Sequence, residues 1–399
     1  MKRLFIILLL ALPAFAEEAT LDRAIELALE HNANVRNAQL EVEKAQTRIA
    51  AARTQRLPSF TLEGIGGEAL NNLSIEIDNG PGGATRVELG RTFSMFAIAR
   101  IVQPLTQLHA INLGVKLQEA SLAADRENER AARIGVAREV KRAYFAVLSA
   151  RAYADAMQET VAASEEVERE MNVRVSQQAA LEADRLDATA RLASARVAAL
   201  SAANAFATAK EQLAYLVGSE IDPIAPEIIE LTKTTSGTNR PDIREAELRV
   251  QQARLAMQLK NADRIPEVAL MVSNATPLNN DALPRNMTSA GVTFSYEPFT
   301  WGRRKAELTE KRHAIEQAEN ALRDQRNAAA VEIAAHARKV EEAAAQIAVR
   351  RLESAAARER LRVTRTRFQE RAARPDELFG ATATLAQTAA RERDAISAY

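Results

Sequence analysis

Two spacings of apolar residues alternate along the chain. Ala137, Val140, Tyr144 and Val147 are separated by 3, 4 and 3 positions, and Ile333, Ala337, Val340, Ala344 and Ile347 by 4, 3, 4 and 3. Such spacing keeps one narrow stripe of a helix against a partner helix, and the small residues on the stripe permit close approach. No proline interrupts residues 301 to 368, so an unbroken helix there would be on the order of 100 Å long. The second spacing has a period of two. Phe93, Met95, Ala97, Ala99 and Ile101 alternate with Ser94, Phe96, Ile98, Arg100 and Val102, while Val292, Phe294 and Tyr296 alternate with Thr293, Ser295 and Glu297. One face of each segment is apolar and the other mixed or polar, which suits a tilted membrane β-strand and equally a soluble hairpin.

The same order of segments occurs twice. A helical stretch closes at Leu57-Pro58-Ser59-Phe60 and another at Ile265-Pro266-Glu267-Val268, and each leads into two β-like segments and then a very long Ala-, Glu- and Arg-rich stretch. The expected strands run over about 58–67 and 92–103 in the first copy and about 266–275 and 287–299 in the second. Between them stand polar loops, Asn71 to Gly90 in the first copy and Pro277 to Pro284 in the second. Asp222-Pro223, Pro226 and Thr234-Thr235-Ser236-Gly237 break the helical pattern. The chain therefore divides into a first repeat at 17–218, a linker at 219–240 and a second repeat at 241–399. The expected class is mainly α with a small β part. Four strands are too few to close a barrel, which takes about eight, so they would span a membrane only if several chains each gave a sheet, and three chains would give twelve strands.

The beginning of the chain bears on location. Lys2 and Arg3 precede the apolar run Leu4 to Ala11, and Ala14-Phe15-Ala16 places small residues before Glu17. Residues 1–16 are expected to be a cleaved secretory signal, since the run falls short of the roughly 20 apolar residues a spanning helix needs.

Composition narrows the classes further. The chain is 47% apolar but only 4% aromatic, so alanine fills its contacts, which fits long helices in close contact better than one thick core. Its 53 basic and 53 acidic residues balance, against the basic excess of a nucleic-acid binder. Absence of cysteine removes disulfides, thiolate metal sites and a cysteine nucleophile. His31, His109, His313 and His336 form no pair at metal-binding spacing, and the glycines at 64–67 and 80–83 lack the Lys-Ser or Lys-Thr of a phosphate loop. No catalytic, cofactor or metal site is expected, and no enzyme.

Thr20-Leu21, Ala24-Ile25, Ala28-Leu29, Asn32, Val35, Ala38 and the Ala51-Ala52-Arg53 to Leu57-Pro58 junction resemble the opening of the TolC-like outer-membrane efflux protein family. The second copy repeats it with Arg240-Pro241-Asp242-Ile243, Ala246, Ala253-Arg254-Leu255-Ala256 and Arg264-Ile265-Pro266. Gln103-Pro104-Leu105, Glu297-Pro298-Phe299, Trp301-Gly302-Arg303-Arg304 and Leu213-Ala214-Tyr215-Leu216-Val217-Gly218 extend the likeness over essentially the whole mature chain. The resemblance implies a homotrimer in outer-membrane lipid, with a 12-stranded β-barrel and coiled-coil helical hairpins forming a tunnel through the periplasm. It also implies the exit duct of a tripartite efflux pump or type I secretion system. Such a duct is passive and works with a periplasmic adaptor (membrane fusion) protein and an inner-membrane pump.

In that family the tunnel mouth lies at hairpin turns patterned Arg, aromatic, two variable residues, Gly, then Asp and Leu six and eight positions on. This chain has Arg174-Val175-Ser176-Gln177-Gln178 with Asp184 and Leu186, and Arg367-Phe368-Gln369-Glu370-Arg371 with Glu377 and Phe379. Gln178 and Arg371 replace the glycines, which would alter the turn shape, and Pro375 would define the second turn instead. Glu182, Asp184, Asp187, Asp376 and Glu377 are expected at the aperture, where a carboxylate ring favours cations. The competing reading is a charged helix face whose acids complement the helix dipole. Arg174 and Arg367 would hold the mouth closed through pairs with acids on neighbouring helices. A soluble periplasmic coiled-coil adaptor or scaffold is the alternative to the channel.

Overall fold

The computed structural model describes residues 17–68, 73–78, 80, 83–90, 93–224, 239–279, 284–370 and 372–398. The expected signal segment, most of the expected linker and Arg371 lie outside the described residues. In chain order the elements are β1 (Glu17–Ala19), α1 (Leu21–His31), α2 (Ala33–Thr54), β2 (Ser59–Glu68), β3 (Leu73–Asp78), β4 (Ala84–Gly90) and β5 (Phe93–Pro104). There follow α3 (Leu108–Ser176), α4 (Glu182–Val217), β6 (Ile221–Pro223), α5 (Pro241–Ala262), β7 (Glu267–Pro277), β8 (Met287–Ser295), α6 (Arg303–Gln369) and α7 (Pro375–Ala398). The chain is mainly helical, and α3 and α6 hold 69 and 67 residues.

Local chemistry marks the helix ends. The Thr20 hydroxyl accepts from the Arg23 N–H at 3.4 Å to open α1, and the Asn32 side chain accepts from the Asn34 N–H at 2.9 Å at the break before α2. Gly218 closes α4 at a φ of +83° with its N–H bonded to the Ala214 carbonyl. A β-carbon there would also meet the His31 side chain at 3.1 Å, so both the left-handed φ and the close contact favour glycine at this position. Pro241 and Pro375 begin α5 and α7, where a missing N–H costs no helical bond.

The chain forms two compact units. One contains residues up to 39, 129–240 and 326–399; the other contains 40–128 and 241–325. The core of the first gathers Ala24, Ala28 and Val35 with Val136, Val140, Tyr144 and Val147 of α3 and Leu213 and Val217 of α4. Of the two stripes read from the 3–4 spacing, the one on α3 therefore faces a core, whereas on α6 Ile333, Ala337, Val340 and Ala344 are exposed within the chain and Ile347 is buried. Here β1 and β6 pair in parallel, Glu17 opposite Ile221 and Ala19 opposite Pro223. The segment read as a linker thus contributes a strand at its start. The single O–H of the buried Tyr144 is shared between the carbonyls of Ala19 at 2.9 Å and Ile224 at 2.6 Å, tying β1 and the residue that follows β6 to α3.

The second unit carries an antiparallel sheet in the order β2-β5-β7-β8. A separate antiparallel pair, β3 and β4, occupies the segment that the sequence suggests is a loop, and this corrects that reading. Gly80, with φ +75°, and Gly83, with φ +95°, stand between the two strands.

Candidate functional site: hairpin tips and sheet face

The α3–α4 turn is built by backbone bonds. The Ala179 N–H reaches the Arg174 carbonyl at 2.8 Å and the Gln178 N–H reaches the Val175 carbonyl at 2.9 Å, the two bonds of a Schellman ending. Gln178 takes the left-handed conformation itself, with φ +60°, so the turn forms without the glycine. The α6–α7 turn closes in the same way, the Ala372 N–H bonding to the Arg367 carbonyl at 2.7 Å. Arg371 lies outside the described residues.

The acids of the following turns act first on their own helices. The Asp184 carboxylate accepts from the Leu181 N–H at 3.1 Å, and the Glu377 carboxylate accepts from the Arg374 N–H at 3.3 Å, three positions upstream in each case. This is the returning half of a capping box; leucine has no side-chain acceptor for the other half. Glu182 is bonded to Arg185, which holds its carboxyl below the usual carboxylate range. Asp187 bonds to Arg191 at 2.8 Å, and Asp376 lies 3.3 Å from Arg374. All five carboxylates therefore have partners within their own hairpins.

The arginines divide. Arg174 bonds to Glu170 of its own helix at 2.8 Å, not to a neighbouring helix, and its guanidinium lies 5.3 Å from the Phe368 ring centre on α6. Arg367 lies 3.8 Å from Glu377 of α7 and donates to the Ala372 carbonyl at 3.1 Å. Beneath these charges Val167, Met171, Ala188, Phe368, Ala373 and Leu378 form a buried cluster that joins the ends of α3, α4, α6 and α7. A cleft of about 320 Å³ opens beside it, lined by Arg174, Asp184, Asp187, Arg191, Arg374 and Asp376 among others. Arg191, whose guanidinium lies 5.2 Å from the Phe379 ring centre, escaped the sequence reading. Its position four residues after Asp187 was the available signal.

On the sheet, the register decides which side chains share a face. Phe60 stands opposite Ile101, Ile101 opposite Val272 and Val272 opposite Ala290; Leu270 is opposite Val292 and Val268 opposite Phe294. With period two, Leu62, Met95, Phe93 and Ala99 fall on this same face. Its large apolar side chains are exposed, Leu62 to 72% and Phe294 to 68%. The reverse face carries Thr61 opposite Arg100, Arg100 opposite Ser273 and Ser273 opposite Ser289, the last pair sharing a hydrogen bond at 2.8 Å. Strands β2 and β8 form the two edges of this sheet. Among the described residues no helix is long and apolar enough to cross a membrane.

The family model described as "Outer membrane efflux protein" matches residues 24–219 and 236–399. The chain belongs to that family. It is an outer-membrane efflux protein, and family and fold lend no support to a soluble adaptor. The fold is shared with solved membrane proteins. A membrane protein from Pseudomonas aeruginosa superposes with TM-score 0.78 at 19% identity, over 96% of this chain and 88% of that one. The Campylobacter jejuni CmeC outer membrane channel gives TM-score 0.78 at 15% identity, over 95% and 83%. The Vibrio cholerae outer membrane protein VceC gives 0.75 at 19% identity, over 94% and 92%. No curated protein matches the chain.

Proposed function

We infer that three copies of this efflux protein assemble into one passive outlet duct, each giving β2, β5, β7 and β8 to a shared outer-membrane barrel and its helices to a periplasmic tunnel. The observation that carries this reading is the four-stranded sheet whose apolar face is exposed and whose two edges are unpaired among the described residues. An apolar face of that size is costly in water, and unpaired edges are costly in lipid, where no water satisfies the backbone. Neighbouring copies remove the second cost and lipid removes the first.

The remaining assignments follow from that placement. Residues 1–16 serve as the export signal and are cleaved. Residues 17–218 and 241–399 act as two equivalent halves about the segment 219–240. The tips bearing Arg174, Gln178, Glu182, Asp184, Asp187, Arg367, Arg371, Asp376 and Glu377 form the periplasmic aperture, where an adaptor and an inner-membrane pump engage. Because Arg174, Glu182, Asp187, Arg367, Asp376 and Glu377 have charged partners within their own hairpins, opening would exchange these partners and needs no chemical step. Fractionation of the cell envelope combined with the mass of the detergent-solubilised protein tests the reading. Recovery in the outer membrane at three chain masses supports it; a water-soluble monomer in the periplasm overturns it.

A further inference from the structure

Among the described residues of the four strands, the polar face carries three charged side chains: Glu63 on β2, Arg100 on β5, and Glu267 at the start of β7, where α5 hands over to the sheet. Glu63 and Arg100 form a pair. Arg100 stands opposite Thr61, so Glu63 lies on the diagonal, and its carboxylate is 3.5 Å from the guanidinium. Both side chains keep over a third of their surface exposed, which makes the pair worth little to stability. Their neighbours in the rows are uncharged: Thr61, Ser273 and Ser289 beside Arg100, and Ile98, Ala275 and Met287 beside Glu63. Among the described residues the pair is therefore the one charged station on the body of that face, and it is balanced.

We propose that Glu63 and Arg100 form a charge-neutral ring inside the barrel that keeps this part of the conduit from discriminating between small anions and cations. The proposal rests on the trimeric-barrel reading, in which the apolar face meets lipid and the opposite face meets the aqueous lumen. Three copies then place three carboxylates and three guanidiniums at one level of a narrow passage. There each charge acts on a passing ion over roughly a Debye length, about 10 Å at 0.1 M salt. Paired, the two signs cancel; unpaired, either becomes a selective ring.

Planar-bilayer recordings of the purified channel in a potassium chloride gradient at low salt read this directly from the reversal potential. Glu63→Gln, leaving the three guanidiniums, is expected to move the ratio of cation to anion permeability toward chloride. Arg100→Gln is expected to move it toward potassium, each by about two- to fivefold, the scale of one exposed charge interaction. The double exchange Glu63→Arg with Arg100→Glu restores balance and should return the reversal potential to the wild-type value. Conducting single variants that share the wild-type reversal potential, or shift in the same direction, overturn the proposal. Absence of any channel from the wild-type protein instead overturns the barrel reading beneath it.

Discussion

A side chain with a β-carbon pays sterically for a left-handed backbone, by about 1–2 kcal/mol, and Gln178 stands in that region with φ +60°. Glycine removes this cost but loses about 0.5–1 kcal/mol of chain entropy, so Gln178→Gly should stabilise the α3–α4 turn by roughly 0.5–1 kcal/mol. Gln178→Val, branched at the β-carbon, should destabilise it. Denaturant midpoints of the solubilised protein report both; an unstable glycine variant would show that the Gln178 side chain supplies something the backbone bonds do not. Tyr144 makes a second prediction at this scale. Burial raises its hydroxyl above the ordinary tyrosine range. The neutral form is the one the fold favours. Its contribution is fully present below the unfolded tyrosine pKa of about 10 and is lost as pH rises from there through the folded value. Tyr144→Phe should cost about 1–3 kcal/mol at neutral pH, leaving two carbonyls without the hydroxyl, and should flatten the fall in stability above pH 10. A variant as stable as the parent at pH 7, with an unchanged alkaline fall, would remove the tyrosine from this role.

At the scale of elements, what was legible in the sequence was what repeats locally. The spacing of Val140, Tyr144 and Val147 set a helix face, and those residues are buried. The positions of Arg174 and Arg367, 193 residues apart, marked two turns that close with the same backbone bond. The partner of Arg174 was not legible, because Glu170 on its own helix is chosen by the rotamer in the finished hairpin. Nor was the pairing of β1 with β6, whose three-residue strands come together across some two hundred positions. The miss at β3 and β4 has a different cause. Leu73, Ile75 and Ile77 alternate with Ser74, Glu76 and Asp78, but the surrounding Asn and Gly residues made the whole segment resemble a turn. The alternation in β8 yields a direct test. Val292 belongs to the apolar face and Thr293 to the polar one. An arginine on a lipid face costs about 2–4 kcal/mol near the bilayer midplane, whereas a lumen position accepts one. Val292→Arg should therefore sharply reduce the assembled protein in the outer-membrane fraction while Thr293→Arg leaves it near wild type. Equal losses would mean that the two faces do not meet different solvents.

For the whole molecule the question is what the edges of β2 and β8 meet. Within one chain β5 and β7 lie between them, which is three strand spacings or about 14 Å. A disulfide needs α-carbons within about 7 Å, so cysteines on the two edges cannot join inside one sheet of this order. The chain contains no cysteine of its own, and every cross-link formed would come from the residues introduced. Phe60→Cys or Leu62→Cys on β2, each combined in turn with Ala290→Cys, Val292→Cys or Phe294→Cys on β8, samples the heights at which a neighbouring copy could pair. In a closed barrel of three copies, the β2 of each meets the β8 of the next. At least one combination should then give two-chain and three-chain bands on a non-reducing gel, with nothing larger. Ladders that run beyond three chains would indicate an open or larger ring. If all six combinations remain monomeric under oxidation, in envelopes that hold the protein, then β2 and β8 do not adjoin and the shared barrel is wrong.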